Sequence, residues 1–311
     1  MGKDDASPAD PCAGAGRRCG FIAVIGAPNA GKSTLVNGIV GAKVSIVTPK
    51  TQTTRFRVLG IALRGDAQLI LVDTPGIFAP RKRLERAMVA AAWSGAGDAD
   101  EIVLVVDASR SVAGEPLRIA ERLRSANRRA VLALNKIDLV AKPELLRLAA
   151  NLDEAGTFSD IVMISAQTGD GVGDLVALLQ QRLPHGPWLF PDDQVSDLSE
   201  RVFATEITRE KLFMALGQEL PYAVSVETES WVQRNDGSVE IRQIINVQRD
   251  GQKAIVIGRK GSRLGRIGSA ARVDLERLLG CRVHLFLFVR VQAHWSDDPA
   301  WYRDVGLDFQ A

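Results

Sequence analysis

The sequence predicts an α/β domain, with a mostly parallel sheet between helices, followed by a smaller α+β domain. Two observations predict the first domain: short, wholly apolar runs recur between residues 20 and 183, and helical stretches separate them. Such runs are typical of strands buried on both faces of a sheet. A third observation predicts the second domain, because alternating apolar residues replace the continuous runs after a proline-rich stretch, 184–193.

Composition supports two ordinary globular domains. The chain has 311 residues, 46% of them hydrophobic and 24% charged, which excludes a wholly disordered chain. A net charge of +2 excludes a uniformly basic protein but leaves room for a local basic patch. Three cysteines without a CxxC pair disfavour a disulfide framework or a zinc site. No apolar run reaches the roughly 20 residues of a membrane-spanning helix, and the acidic start lacks a secretory signal, so we expect a cytoplasmic protein.

The first domain is predicted to span residues 20–183, after a flexible N-terminal tail, 1–19. Two intervening segments have helical spacing with a proline near the start, 115–124 and 143–154. The predicted strands are the apolar runs FIAVIG (21–26), LILVD (69–73), IVLVVD (102–107), AVLALN (130–135) and IVMIS (161–165).

The second domain is predicted to span residues 198–293, between a linker, 184–197, and a C-terminal tail, 294–311. The short, proline-rich linker is predicted to act as a semi-rigid spacer that transmits movements of the first domain. A turn at Asn235-Asp236-Gly237 joins two alternating strands. The predicted order is α-β-β-α-α-β, with a helix at 198–216, strands at 222–231 and 239–247, two helices around Gly258–Gly261 and a strand at 282–291.

A phosphate-binding loop follows the first predicted strand. Residues 26–33 fit the pattern GxxxxGK[ST] and lead into a predicted helix, 32–40. In such a loop the backbone N–H groups surround a polyphosphate, Lys32 neutralises the outer phosphates, and Ser33 offers its hydroxyl to Mg²⁺. The predicted contacts are Gly26, Ala27, Pro28, Asn29, Ala30, Gly31, Lys32, Ser33 and Thr34.

A second phosphate element follows the strand 69–73. Asp73 ends that strand and is placed to hold Mg²⁺ through water, and Gly76 completes the pattern DxxG. The Gly76 N–H is placed to sense a γ-phosphate, so the following segment would be ordered by a triphosphate. Taken alone, DTPG indicates only a turn, and its position downstream of the phosphate loop favours the functional interpretation. The predicted contacts are Asp73, Thr74, Pro75, Gly76 and Ile77.

Guanine recognition is predicted at two further strand ends. The Asp138 carboxylate would accept from guanine N1–H and the exocyclic amine, which adenine does not offer in that arrangement, so discrimination should be steep. A backbone N–H in the pair Ser165-Ala166 suits guanine O6, although this pair is a weak signal by itself. The predicted contacts are Asn135, Lys136, Ile137, Asp138, Ser165 and Ala166.

These four elements lie in the order and spacing of the guanine-nucleotide-binding GTPases, and the resemblance covers residues 20–183. The stretch KTQTTR, 50–55, resembles the first switch of those proteins. The resemblance implies that one threonine, Thr53 or Thr54, binds Mg²⁺ when a triphosphate is present. We favour Thr54, and an ordinary polar loop is the alternative.

Two positions bear on hydrolysis. Ile77 stands where Ras-type enzymes have a water-positioning glutamine, which predicts slow hydrolysis or help from another group. In GTPases that share the form GxPNxGKS, the residue corresponding to Asn29 is associated with a potassium ion between the phosphates. The resemblance therefore implies K⁺ beside Asn29, with Lys32, Asn29 and Thr54 as the catalytic residues.

The second domain contains GxxG at Gly258-Arg259-Lys260-Gly261, between two predicted helices. In the KH fold such a loop clamps the backbone of about four nucleotides. The stretch 256–272 contains five basic residues and no acid. A solvated basic helix is the alternative, but the order α-β-β-α-α-β favours a type II KH domain. The predicted RNA contacts are Gly258, Arg259, Lys260, Gly261, Arg263 and Arg266.

The two domains together resemble the Era family of bacterial ribosome-assembly GTPases, over everything except residues 1–19. Three short stretches of sequence also resemble that family: ATEITREKL (204–212), ELPYAVSVE (219–227) and AHWSDD (293–298). The resemblance implies GTP hydrolysis coupled to binding of the 3′ end of 16S rRNA during maturation of the 30S subunit. It also implies peripheral association with the inner membrane, and we expect a monomer.

Two other functions are compatible with parts of this sequence. A tRNA-modification or transport GTPase would need a different partner domain or transmembrane helices, and the sequence shows neither. An RNA-binding scaffold with an inactive, regulatory nucleotide site is the alternative from another class. The intact phosphate and guanine elements argue against it, because Lys32, Ser33 and Asp73 serve the chemistry of a triphosphate.

Overall fold

The first domain is built on a six-stranded sheet. The structure, a computed structural model, describes residues 16–110, 114–217 and 220–311. The strands lie in the order β2-β3-β1-β4-β5-β6, and within it only β2, paired with β3, runs antiparallel to its neighbour. They are β1 (Arg18–Ile25), β2 (Val58–Arg64), β3 (Ala67–Asp73), β4 (Glu101–Asp107), β5 (Ala130–Asn135) and β6 (Phe158–Ile164).

Helices cover both faces of this sheet, as the sequence predicts. Successive side chains of β1 point to opposite faces, so Ile22 and Val24 belong to one core and Ala23 and Ile25 to the other. The first core packs against α1 (Lys32–Val40) and α5 (Val172–Arg182). The second packs against α2 (Arg83–Asp98), α3 (Glu115–Ser125) and α4 (Lys142–Asp153).

Strand β2 was not among the predicted elements, and Gly60 at its centre explains why. A glycine inside a strand weakens the apolar pattern from which strands are recognised. In the structure a Cβ on Gly60 would lie 2.8 Å from Val36 Cγ1 and 2.8 Å from Val40 Cγ2. The glycine therefore lets α1 pack closely on the edge of the sheet.

The second domain has the predicted order of elements. Its sheet pairs β7 (Ser225–Gln233) with β8 (Val239–Val247) antiparallel and β8 with β9 (Val283–Val291) parallel. The apolar side chains of one sheet face pack against the helices. These helices are α6 (Glu200–Ala215), α7 (Asp250–Ile257) and α8 (Ser262–Leu279).

The predicted linker, 184–197, is not a spacer, and this corrects the prediction. Trp188 and Phe190 pack on the core of the first domain. The Gln68 side-chain oxygen accepts hydrogen bonds from the backbone N–H groups of Leu189 and Phe190 at 2.8 and 3.0 Å. The segment is fixed along the sheet because a buried polar residue of β3 supplies its backbone with partners.

The C-terminal segment, 294–311, is also packed rather than a tail, which is a second correction. It contains a 3₁₀ turn, Trp295–Asp297, and helix α9, Pro299–Asp304. Trp295 is 1% exposed and packs with Tyr302 in one cluster with residues of the first domain. These aromatic side chains have no periodic pattern, so only the tertiary contact reveals their burial.

The first domain begins two residues earlier than predicted. Strand β1 begins at Arg18, so Arg18 and Cys19 are not part of a tail, while residues 1–15 lie outside the described part of the chain. Among the helices that the structure describes, none is long and apolar enough to cross a membrane.

Candidate nucleotide site and nucleic-acid interface

The loop between β1 and α1 can be formed only with glycine at two positions. Gly26 has φ +148°, and a Cβ there would lie 2.3 Å from the Val105 carbonyl oxygen. Gly31 has φ +99°, and a Cβ would lie 2.2 Å from Asn135 Nδ2. The backbone is therefore wound tightly above two neighbouring strands, at the N-terminus of α1, where N–H groups and the helix dipole favour an anion.

Lys32 is folded over this loop. Its Nζ donates to the carbonyl oxygens of Gly26 and Ala27, both at 3.1 Å, and the side chain is buried. Burial lowers the pKa of Lys32 to about 8, and the nearby charge of Asp73 opposes that shift. The ammonium group is placed to exchange these carbonyl contacts for phosphate oxygens.

The lowered pKa of Lys32 predicts a pH dependence of nucleotide binding. Phosphate favours the charged amine, so binding above pH 8 requires proton uptake. We expect the Kd for GDP to rise about fourfold between pH 7 and pH 8.5. Titration calorimetry in two buffers of different ionisation enthalpy would detect the proton taken up. A Kd that is constant over this range would contradict the prediction.

Three oxygen ligands converge beside the loop. Ser33 Oγ lies 2.7 Å from Asp73 Oδ2 and 2.9 Å from Thr54 Oγ1, and Thr54 Oγ1 lies 3.3 Å from the same carboxylate oxygen. Asp73 Oδ1 is buried and has no hydrogen-bond partner among the described residues. Burial raises the pKa of Asp73, and the Ser33 hydroxyl opposes this shift. Two hydroxyls and a carboxylate are ligands that fit Mg²⁺, whose charge would stabilise the ionised carboxylate.

The structure distinguishes between the two threonines of the first switch. Thr53 Oγ1 is engaged with Thr48 Oγ1 at 2.7 Å and with the Lys50 carbonyl at 2.8 Å. Thr54 is the one that reaches Ser33 and Asp73. The favoured residue, Thr54, is therefore the one whose hydroxyl lies beside Ser33 and Asp73, and its contact with Mg²⁺ stays a prediction.

The segment after β3 approaches the phosphate loop closely. A Cβ on Gly76 would lie 2.8 Å from Pro28 Cγ, so this contact requires glycine. The Ile77 N–H donates to the Gly26 carbonyl at 3.0 Å, and the Ile77 side chain is buried in the core. Ile77 thus anchors the segment by packing and has no group with which to orient a water molecule.

At the predicted guanine end, Asn135 joins two loops. Its Nδ2 donates to the Ala30 carbonyl at 2.7 Å, and its Oδ1 accepts from the Ala166 N–H at 2.8 Å. The Ser165 N–H donates to the Asp170 carbonyl at 2.9 Å. Both N–H groups of this pair are thus engaged within the protein as it stands, and their contact with guanine O6 remains a prediction.

The neighbouring residues of that motif differ in exposure. Asp138 lies exposed in a 3₁₀ turn, Ile137–Leu139, with its carboxylate available to solvent. Lys136 adopts φ +67° and forms an ion pair with Asp107. That pairing with Lys136 and a hydrogen bond from Ser109 lower the pKa of Asp107 against the effect of its burial.

A cavity of about 320 Å³ connects the phosphate loop with Lys136. Asn29 closes one side of it, because its Nδ2 donates to the Pro49 carbonyl of the first switch at 3.0 Å. Sequence reasoning missed Gln52 and Arg110, which also line this cavity. Arg110 lies in a loop without a recognisable motif, so no sequence signal pointed to it.

The GxxG loop has the strained geometry that its glycines allow. Gly258 has φ +72°, and a Cβ there would lie 2.7 Å from Arg263 Cβ. Lys260 adopts φ +51°, which presents its side chain and that of Arg259 to solvent. Arg263 Nη1 donates to the Ile255 carbonyl at 2.6 Å, while Arg266 is exposed on α8.

A groove of about 330 Å³ follows this loop between α8 and β9. Small residues on α8, among them Gly265 and Gly268, face Leu285 and Leu287 across it. Their spacing of one helical turn leaves room for flat groups such as bases. This groove is not predictable from the sequence, because glycines in a helix carry no signal of their own about a ligand.

The first switch is bonded to α6 of the second domain. Glu210 accepts from Lys43 Nζ at 2.7 Å and from the Val47 N–H at 3.0 Å. Arg209, held by an ion pair with a glutamate one turn before it, donates to the carbonyl oxygen of Thr53. The residue before Thr54 is therefore held by the second domain.

A second set of contacts lies on the other side of Thr54. Arg55 is buried and donates to the carbonyl oxygens of Val224 at 2.8 Å and Pro221 at 3.3 Å. On the first side, before Thr54, the hydroxyls of Thr51 and Tyr222 are also 2.9 Å apart. The loop that carries Thr54 is thus fixed to the second domain from both sides.

Comparisons with known proteins agree with both domains. A family model for 50S ribosome-binding GTPases matches residues 21–136, and a KH-domain model matches residues 219–296. The GTPase Era of Sinorhizobium medicae is 54% identical over 292 residues, which cover 94% of each chain.

Two solved structures are similar over nearly the whole chain. One is Era in complex with MgGDPNP and nucleotides 1506–1542 of 16S ribosomal RNA, with a TM-score of 0.89 and 36% identity. The other is an Aquifex aeolicus Era variant bound to GDP·AlF₄⁻, with a TM-score of 0.88 and 37% identity. Each match covers 93% of this chain and 99% of the other.

Fold and site together define a P-loop GTPase with a C-terminal type II KH domain. The chain belongs to the GTPase Era family, and its enzymatic activity is the hydrolysis of GTP.

Proposed function

We propose that this chain is a nucleotide-switched factor in maturation of the 30S subunit, which binds the 3′ region of 16S rRNA through its KH domain. The observation that carries the proposal is the attachment of the Thr54 loop to the KH domain on both sides. A change at the γ-phosphate that moves Thr54 must also disturb these contacts. The Era complex with MgGDPNP and 16S rRNA supports the same pairing of ligands.

The phosphate site divides the work of hydrolysis among few groups. Lys32 neutralises the outer phosphates, and the Gly76 N–H donates to the γ-phosphate. Ser33, Thr54 and Asp73 are the residues that would hold Mg²⁺, with Asp73 acting through water, and the ion would supply positive charge to the phosphates. Without a water-orienting side chain at Ile77, intrinsic turnover is slow.

The RNA site uses the glycine clamp for the nucleic-acid backbone and the adjoining groove for bases. Arg259 and Lys260 project from the clamp, and Arg263 and Arg266 follow on α8. Phosphate contacts of this kind position the strand, whereas specificity depends on the bases in the groove.

A potassium ion beside Asn29 is expected to stimulate turnover. The Asn29 amide already bridges the phosphate loop and the first switch, so a cation held by its oxygen would lie next to the phosphates. We expect faster hydrolysis in KCl than in NaCl, and no difference between the salts for Asn29→Ala. Equal wild-type rates in the two salts would remove Asn29 from the mechanism.

We also expect a monomer, and the family resemblance predicts peripheral contact with the inner membrane. Sedimentation velocity tests the first, and flotation with vesicles of bacterial inner-membrane lipids tests the second.

The proposed function itself is tested by multiple-turnover hydrolysis of GTP with and without 16S rRNA nucleotides 1506–1542. Nucleotide binding without turnover in both conditions would instead identify a scaffold with a regulatory site.

A further inference from the structure

A groove between the two domains lies outside both sites described above. Its volume is about 650 Å³, twice the roughly 320 Å³ of the phosphate cavity. One wall is the start of α2, at Lys82 and Arg83, and the other is formed by α7 and the start of α8. Its floor includes the 3₁₀ segment Leu220–Ala223, and Asp297 lies at one end. We call it the interdomain groove.

The charge of the interdomain groove is strongly one-sided. Four cations line it, Lys82 and Arg83 from the first domain and Arg249 and Arg263 from the second. Asp297 is the single acid among its described lining residues. A cationic groove of this size favours a polyanion over a neutral partner.

Apolar surface lies between these charges. Ile255 is 49% exposed, and Leu220 and Tyr222 are partly exposed on the floor. Basic walls beside an aromatic and aliphatic floor are typical of single-stranded nucleic-acid sites, where bases stack while the backbone contacts cations. An acidic peptide would use the same charges but has no need of the apolar floor.

The interdomain groove begins at the glycine clamp. Arg263 lines the groove and also packs closely on the clamp. A Cβ on Gly258 would lie only 2.7 Å from Arg263 Cβ. An RNA strand that leaves Gly258–Gly261 would lie next to Arg263, a residue of the groove lining. The glycine clamp and the interdomain groove therefore adjoin at Arg263.

Two parts of the groove lining adjoin the first switch and the helix after the DTPG segment. Tyr222 on its floor bonds Thr51 of the first switch at 2.9 Å. Lys82 and Arg83 begin the helix that follows the DTPG segment. A strand in the groove would therefore contact side chains next to the segments that are proposed to respond to the γ-phosphate.

We propose that the interdomain groove binds the continuation of the RNA strand held by the glycine clamp, so that one RNA molecule contacts the KH domain, the start of α2 and the Tyr222 side chain that bonds the first switch. This inference rests on RNA binding by the KH domain. Lys82 and Arg249 contact phosphates of the continued strand, and Tyr222 and Ile255 contact its bases.

The test compares a long RNA with a short one. The long RNA is nucleotides 1506–1542 of 16S rRNA, and the short one is its smallest fragment, of about four nucleotides, that still requires Arg259 and Lys260. The variant is Lys82→Gln/Arg249→Gln, because both side chains are exposed and lie outside the nucleotide site. The matched control is Arg118→Gln/Arg124→Gln, two exposed cations on α3.

The variant should bind the long RNA about tenfold more weakly, and the slope of log K against log salt should fall by about 1.4, since each phosphate contact contributes about 0.7. Its affinity for the short RNA should equal that of the wild type, and the control should change neither. The long RNA should also stimulate hydrolysis more than the short one in the wild type but not in the variant.

Other outcomes separate the two proposals. If the variant binds the long RNA with wild-type affinity and salt slope, the interdomain groove does not bind RNA, although the KH assignment stands. Binding of polyglutamate that the variant abolishes, with RNA affinity unchanged, would assign the groove to an acidic protein and overturn the inference. If no fragment requires Arg259 and Lys260, the proposed RNA site itself fails.

Discussion

Asp138→Asn is expected to weaken GTP binding by at least about a hundredfold and to improve XTP binding by a similar factor. In the predicted role the carboxylate would accept two guanine N–H groups, and charge-assisted bonds of this kind are strong and specific. An amide at this position accepts from N1–H but meets the guanine amine with its own N–H₂. Xanthine has a carbonyl there, which the amide N–H₂ satisfies. Competition titrations with a fluorescent nucleotide measure both affinities.

The control for this exchange is Asp153→Asn, the same chemical change at an exposed position at the end of α4. Because Asp138 is itself exposed in a short 3₁₀ turn, its replacement should leave the melting temperature nearly unchanged. A variant that keeps the wild-type preference for GTP over XTP would show that Asp138 does not read the base.

Arg259→Asp/Lys260→Asp is expected to abolish RNA binding while nucleotide affinity without RNA stays at the wild-type value. The change replaces two exposed positive charges on the clamp with two negative ones, so the local charge falls by four units and the clamp repels the RNA backbone. Neither residue contacts the first domain in the described structure. Filter binding or fluorescence anisotropy with 16S rRNA nucleotides 1506–1542 gives the RNA affinity.

The matched control reverses two charges elsewhere, Arg118→Asp/Arg124→Asp on α3. This control variant should lose little RNA affinity. Its two cations lie on the first domain, and salt screens their attraction for RNA that is bound at the clamp. Equal losses in the two variants would mean that RNA binding is governed by net charge and that the clamp has no special part.

Local sequence predicted the parts of the site that depend on local backbone. The phosphate loop was recognisable because Gly26 and Gly31 are required by close contacts at fixed spacing, and Asp73 because it ends an apolar run. The sheet followed from continuous apolar strands, and the KH domain from its order of elements. Thr54 could be favoured over Thr53 only by resemblance until the hydroxyl positions were known.

The parts that the sequence did not reveal depend on partners distant in the chain. The segment 184–197 is ordered by Gln68, more than a hundred residues earlier, and Trp295 is buried against the first domain. Likewise, the N–H groups of Ser165 and Ala166 are engaged by Asp170 and Asn135, which the motif alone does not show. Tertiary contacts of this kind override the polar, proline-rich appearance of such segments.

The central claim is that nucleotide state and RNA binding are coupled through the contacts that hold the Thr54 loop on the KH domain. Linkage requires reciprocity, so RNA must tighten the binding of a GTP analogue by the factor by which the analogue tightens RNA binding. The route runs through Arg209 and Arg55, which bond the first switch and the KH domain on either side of Thr54.

The most direct test is the affinity for 16S rRNA nucleotides 1506–1542 with a non-hydrolysable GTP analogue, with GDP and without nucleotide. Coupling free energies of about 1 to 3 kcal/mol are typical, so we expect at least about fivefold tighter RNA binding with the analogue than with GDP. In Arg259→Asp/Lys260→Asp, RNA should no longer alter GTP affinity or turnover. The same RNA affinity in all three states would contradict the account, because the two domains would then bind their ligands independently.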